Sequence, residues 1–144
     1  MIILDSSAAV DIVRETDDGK ALASLMLTGE SVISLELFYA EVSNAFWKYC
    51  KAGFYDERDA KHHITKAVRL VDEFHPMGDC YIEVFGEAAR LRHSVYDMMY
   101  LVLARRNGAT LFTLDRKLQQ LCLENGVNCA FADAAFSRGA FCME

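Results

Sequence analysis

Proline is nearly missing from this chain: Pro76 is the single one in 144 residues. Glycine-rich and serine-rich tracts are missing too, so there is no segment to serve as a domain linker. The chain therefore reads as a single domain over 1–144, with 132–144 as a C-terminal tail. Cysteine is present but unorganised. Cys50, Cys80, Cys122, Cys129 and Cys142 are odd in number and show no C-x-x-C spacing. That excludes a zinc cage or a disulfide framework and makes a reducing cytoplasm the expected setting. No stretch of 18 apolar residues exists to span a membrane. MIILDSS has neither the basic start nor the apolar length of a secretory signal, so none is expected. Positive charge is also short: 15 Lys and Arg against 21 Asp and Glu leave a net charge of −6. This argues against indiscriminate coating of nucleic acid. It leaves room for an enzyme acting on nucleic acid, since carboxylates gathered in a metal site free basic residues to collect elsewhere.

What is present is a soluble core, with 53% hydrophobic and 25% charged residues. Its most informative stretch is 94–118. Ser94 and Asp97 fit an S-x-x-D helix start, with Ser94 able to cap a backbone N–H. Met98 to Ala104 is apolar on every face, which a helix tolerates only when buried. Asn107-Gly108 supplies a left-handed stop, Thr110 to Leu114 suits a short interior strand, and Asp115 opens a helix over 116–124.

The rest of the chain repeats this alternation. Ile2 to Leu4 is a short strand running into a helix over 8–14, and a second helix is expected over 21–27. A strand over 31–34 precedes a long helix over 36–52. There Phe38, Val42, Ala45, Phe46 and Tyr49 make a buried stripe, with Glu41, Asn44 and Lys48 along its border. A helix beginning at Asp56 carries Arg58, Lys61, His62, His63, Lys66 and Arg69, either a face for RNA phosphates or an ordinary solvated one. Adjacent His62 and His63 point about 100° apart and make a poor metal pair. Pro76 marks the main turn. A helix over 81–92 follows, in which Gly86 permits close packing, and 126–131 suits a last strand. Phe136 and Phe141 in the tail are expected to pack on the body or on a second subunit.

Short apolar strands alternating with helices indicate an α/β fold, a central mostly parallel sheet covered on both faces. In that architecture Asp5 and Asp115 lie at strand C-terminal ends, and Glu41 and Asp97 flank or open nearby helices. Each has a bland reading, Asp5 as a helix cap and Glu41 as a solvated flank. Converging on one crevice, however, four carboxylates repel one another unless a cation sits among them. Hard oxygen ligands favour Mg²⁺ or Mn²⁺, and such a site suits metal-dependent phosphodiester cleavage.

Four motifs in order, IILDSSA, EVSNAFWK, YDMMYLVLA and TLFTLDRKL, resemble those of PIN domains, and most of all those of the small single-domain VapC-type toxins. The resemblance runs over about residues 2–131. It implies a three-layer α/β/α sandwich and Mg²⁺- or Mn²⁺-dependent endoribonuclease activity. By motif it places the acidic site on Asp5, Glu41, Asp97 and Asp115. Asp5 and Asp97 are then direct metal ligands, with Asp115 binding through water. Asn44 and Thr113 match flanking positions that orient ligands or water. Lys48 and Arg116 are placed to meet RNA phosphates. The resemblance also implies a homodimer and a cognate antitoxin. A haloacid-dehalogenase-type phosphotransferase needs an acid where Ser7 stands, and a receiver domain needs paired acids near its start. A non-catalytic RNA- or protein-binding module on the same fold is the alternative.

Overall fold

The computed structural model describes residues 1–26 and 28–130. They form a five-stranded sheet of order β3-β2-β1-β4-β5 in which every neighbouring pair is parallel. The strands are β1 (Ile2–Leu4), β2 (Val32–Leu35), β3 (Glu73–His75), β4 (Thr110–Phe112) and β5 (Cys129–Ala130). The helices are α1 (Ser6–Arg14), α2 (Asp17–Leu25), α3 (Leu37–Lys51), α4 (Glu57–Arg69), α5 (Tyr81–Leu91), α6 (Val95–Asn107) and α7 (Arg116–Glu124).

Alternation along the strands divides the core in two. Ile3, Ile33, Leu35 and Leu111 face a layer made by α5, α6 and α7. Ile2, Leu4, Val32 and Phe112 face the opposite layer, where α1, α2, α3 and α4 pack. The architecture is the expected three-layer α/β/α sandwich, and its sheet is parallel throughout. Helix α6 is buried at Met98 and from Tyr100 to Ala104, as its all-round apolar surface requires. Gly108 at φ 57° ends it in the left-handed conformation.

Some expectations are corrected. Strand β3 falls where a turn alone is expected, because Glu73-Phe74-His75 is a short, half-exposed edge strand without an apolar run. Helix α2 starts earlier, since Thr16 caps it by accepting from the Gly19 N–H. Gly19 is required there: a Cβ would sit 2.0 Å from the Asp11 carbonyl oxygen of α1. Gly86, by contrast, has open space beside it, so it brings no element closer. Ser94 stands at the start of α6, but its side chain makes no cap hydrogen bond. Leu27, Phe131, Phe136 and Phe141, with the whole tail 132–144, lie outside the described residues.

Candidate active site

Strand β1 sits between β2 and β4, so the chain leaves it toward opposite edges of the sheet in its two halves. Such a reversal opens a crevice at the C-terminal ends of the two central strands. Asp5 directly follows β1, Thr113 directly follows β4, and Asp115 comes two residues later as the cap of α7. Three helices begin here. Asp5 caps α1, Asp115 caps α7, and Asp97 lies in the first turn of α6. Their N-terminal dipoles favour negative charge in the crevice.

The cap reading and the site reading of Asp5 therefore both hold. Its Oδ1 accepts from the Ala8 N–H at 3.0 Å and from Ser7 Oγ at 2.7 Å. Ser7 Oγ also accepts from the Leu114 N–H at 3.0 Å and lies 3.3 Å from Thr113 Oγ1. The Asp115 N–H donates to Thr113 Oγ1 at 3.1 Å. Ser7 and Thr113 thus tie the ends of β1 and β4 together and fix the relative position of two acids. Asp115 caps through Oδ1, accepting from the Lys117 and Leu118 N–H groups.

Glu41 reaches the crevice from α3. Tyr100 Oη donates to its Oε1 at 2.7 Å from the buried core of α6, and Ser6 lines the same cleft. The chain of acids is electrostatically continuous. Burial pushes Asp5, only 5% exposed, up to about 7; its hydrogen bonds oppose that rise, and the Glu41 charge adds to it. Burial raises Glu41, the Tyr100 hydrogen bond opposes it, and the charge of Asp97 adds to it. Burial raises Asp97 too, followed by the charge of Asp115.

The four expected acids are thus coupled in a chain, Asp5 with Glu41, Glu41 with Asp97, and Asp97 with Asp115. They do not form a finished cage: among the described residues, no three His, Cys, Asp or Glu side chains are disposed as a ready coordination shell. The donor set nevertheless fits a hard divalent cation. It consists of carboxylate oxygens that raise one another's affinity for protons, the condition such a cation relieves.

An open cleft of about 360 Å³ leads away along α3, lined by Ser6, Glu41, Asn44, Ala45, Lys48 and Tyr49. Asn44 and Lys48 thus share the acidic groove, and Arg116 lies exposed at the start of α7. On α4 two members of the expected basic face make local contacts. Lys61 pairs with Glu57, and His63 packs against the Tyr55 and Phe46 rings.

Sequence reasoning missed Ser6, Ser7, Tyr100, His93 and Lys117. Tyr100 carried a signal, since it follows Asp97 by three positions and lies one helical turn inward. Lys117 lies close enough to lower the affinity of Asp97 for a proton. His93 projects toward Asp97 from the turn before α6, with Nδ1 3.5 Å from Oδ2.

A parallel α/β sandwich with four coupled carboxylates at its topological switch point is the class of protein that fold and site define. The profile of the PIN domain family matches residues 2–138, and the chain belongs to that family. Ribonuclease VapC3 of Pyrobaculum aerophilum is 24% identical over 121 residues, covering 83% of this chain and 92% of that protein. The crystal structure of PAE2754 from the same organism superposes with a TM-score of 0.62 at 25% identity, covering 81% of each chain. VapBC-1 from nontypeable Haemophilus influenzae superposes at 0.61 with 16% identity, over 90% of this chain and 97% of that one, a likeness of fold.

Proposed function

We propose that this protein is a Mg²⁺- or Mn²⁺-dependent endoribonuclease, the VapC-type toxin of a toxin–antitoxin pair. The observation that carries the reading is the coupled set Asp5, Glu41, Asp97 and Asp115 at the switch point of a PIN domain. The name of the Pyrobaculum aerophilum relative, a ribonuclease, supports it.

In this reading Asp5 and Asp97 hold a divalent cation directly, and Asp115 does so through water. When bound, that ion supplies Lewis acidity toward a phosphodiester oxygen and acidifies water. The protein's own groups do the rest. Glu41, half-buried, oriented by Tyr100 and raised by burial above an ordinary carboxylate, accepts a proton from the attacking water. Thr113 and Ser7 hold the two strand ends at a constant separation. Asn44 orients water or substrate from the next turn of α3, and Lys48 and Arg116 meet the RNA backbone as the groove leaves the acids. The same reading carries a homodimer, a cognate antitoxin protein and a cytoplasmic setting. None of the helices among the described residues is long and apolar enough to cross a membrane.

The test is RNA cleavage by purified protein. Mg²⁺ or Mn²⁺ should support it, EDTA should stop it, and Asp97→Asn should lose nearly all rate while staying folded. Undiminished cleavage by the folded variant would remove Asp97 from the site.

A further inference from the structure

His93 occupies the turn between α5 and α6. Arg92 ends α5 at φ 54°, and the His93 N–H donates back to the Ala88 carbonyl at 3.2 Å. The reversal turns the His93 side chain inward until only 6% of it is exposed. Its Nδ1 is buried and makes no hydrogen bond. A buried polar atom left unpaired is destabilising. Its acidic neighbour is Asp97 Oδ2, at 3.5 Å, a few tenths of an ångström beyond a good hydrogen bond.

Asp97 needs an anchor. Its carboxylate lies within electrostatic reach of the Asp115 carboxylate. The terminal torsion of an aspartate is soft, so two ionised neighbours without a restraint swing apart. We propose that His93 is a positioning residue, whose Nδ1–H closes on Asp97 Oδ2 and holds that carboxylate beside Asp115 in the orientation a divalent cation requires. Donation from Nδ1 is available whether the ring is neutral or charged, so the role does not depend on its titration. Apo geometry in such contacts is commonly loose and tightens on binding. Partners of this kind orient metal-ligating groups, and their loss costs 10–100-fold in affinity or activity.

The assignment rests on the metal-dependent reading above, and the experiment separates the two. In His93→Asn the amide nitrogen takes the place of Nδ1. In His93→Gln it takes the place of Nε2, and His93→Leu has no donor. Calorimetric titration with Mn²⁺ alone, without RNA, should give a Kd raised about 10- to 100-fold for Gln and Leu. His93→Asn should stay near the wild-type value, and kcat for RNA should follow the same order with KM little changed. If His93→Leu fails to fold, the Asn and Gln pair carries the test. Equal Kd values in the folded variants would overturn the His93 assignment alone. Losses that follow melting temperature rather than donor position would overturn it too. A wild-type protein that binds no Mn²⁺ would overturn the metal site and the His93 role together.

Discussion

Asp5→Asn isolates what the acidic crevice costs the fold when no cation is present. Burial is the main cause of the rise of the Asp5 carboxyl from 3.8 to about 7, and the hydrogen bonds from Thr113, Ala8 and Ser7 do not undo it. Between those two pH values the folded protein keeps a proton that the unfolded chain has released. Stability in EDTA should therefore fall as pH rises from about 4 to about 7 and level off above that. At about 1.4 kcal/mol per pH unit, the loss from this residue is on the order of 4 kcal/mol. The asparagine preserves an acceptor for Ser7 and Ala8 but cannot ionise. The variant should match the wild type near pH 4 and exceed it by up to that amount at pH 7.5. For a chain of this size that is a melting temperature roughly 10 °C higher. Urea denaturation followed by circular dichroism from pH 4 to 8, in EDTA, reads the difference directly. Glu41 and Asp97 contribute slopes to both proteins, so the difference curve reports on Asp5 together with its coupling to Glu41. A constant difference across pH, or a variant less stable at pH 7.5, would refute the reasoning.

Two other perturbations address neighbouring parts of the site. Tyr100→Phe deletes the donor to Glu41 and leaves a half-buried carboxylate oxygen unpaired, a cost of about 1–3 kcal/mol. Denaturation should register that loss, and RNA cleavage should show a lower kcat with KM nearly unchanged; a lower KM-based affinity alone would contradict the positioning role of Tyr100. Lys48→Ala and Arg116→Ala should weaken RNA binding, each reducing the slope of log affinity against log salt by about 0.7 for single-stranded RNA. Filter binding at several salt concentrations checks this, and unchanged slopes in both would move the RNA path away from α3 and α7.

The layers and the buried α6 helix are legible from residue pattern because each depends on local spacing, whereas the grouping of the four acids comes from motif resemblance. Apolar runs of three or four residues mark interior strands, and the border position of Glu41 beside Phe38, Val42 and Phe46 follows from helical periodicity alone. Asp5 and Asp115 stand out because an acid directly after a strand serves both as helix cap and as site group. What the pattern hides depends on distant partners. Strand β3 is an edge strand whose pairing with Ile33 to Leu35 carries it, not its own composition. Ser7 and Thr113 meet across 106 positions, and Tyr100 meets Glu41 across 59, separations no local spacing predicts. His93 is hidden for a different reason: a lone histidine before a helix is unremarkable until the left-handed turn at Arg92 buries it.

The most direct measurement is the melting temperature of wild type and Asp97→Asn, each with EDTA and with Mn²⁺. If the carboxylates bind a cation in the folded state, Mn²⁺ at a hundredfold excess over Kd stabilises the wild type by about 2.7 kcal/mol. Asp97→Asn removes a ligand and one of two repelling charges. It should melt at or above the wild-type temperature in EDTA and gain little from Mn²⁺. Equal Mn²⁺ responses in the two proteins, or none in either, would contradict the account of the crevice as a metal-dependent catalytic site.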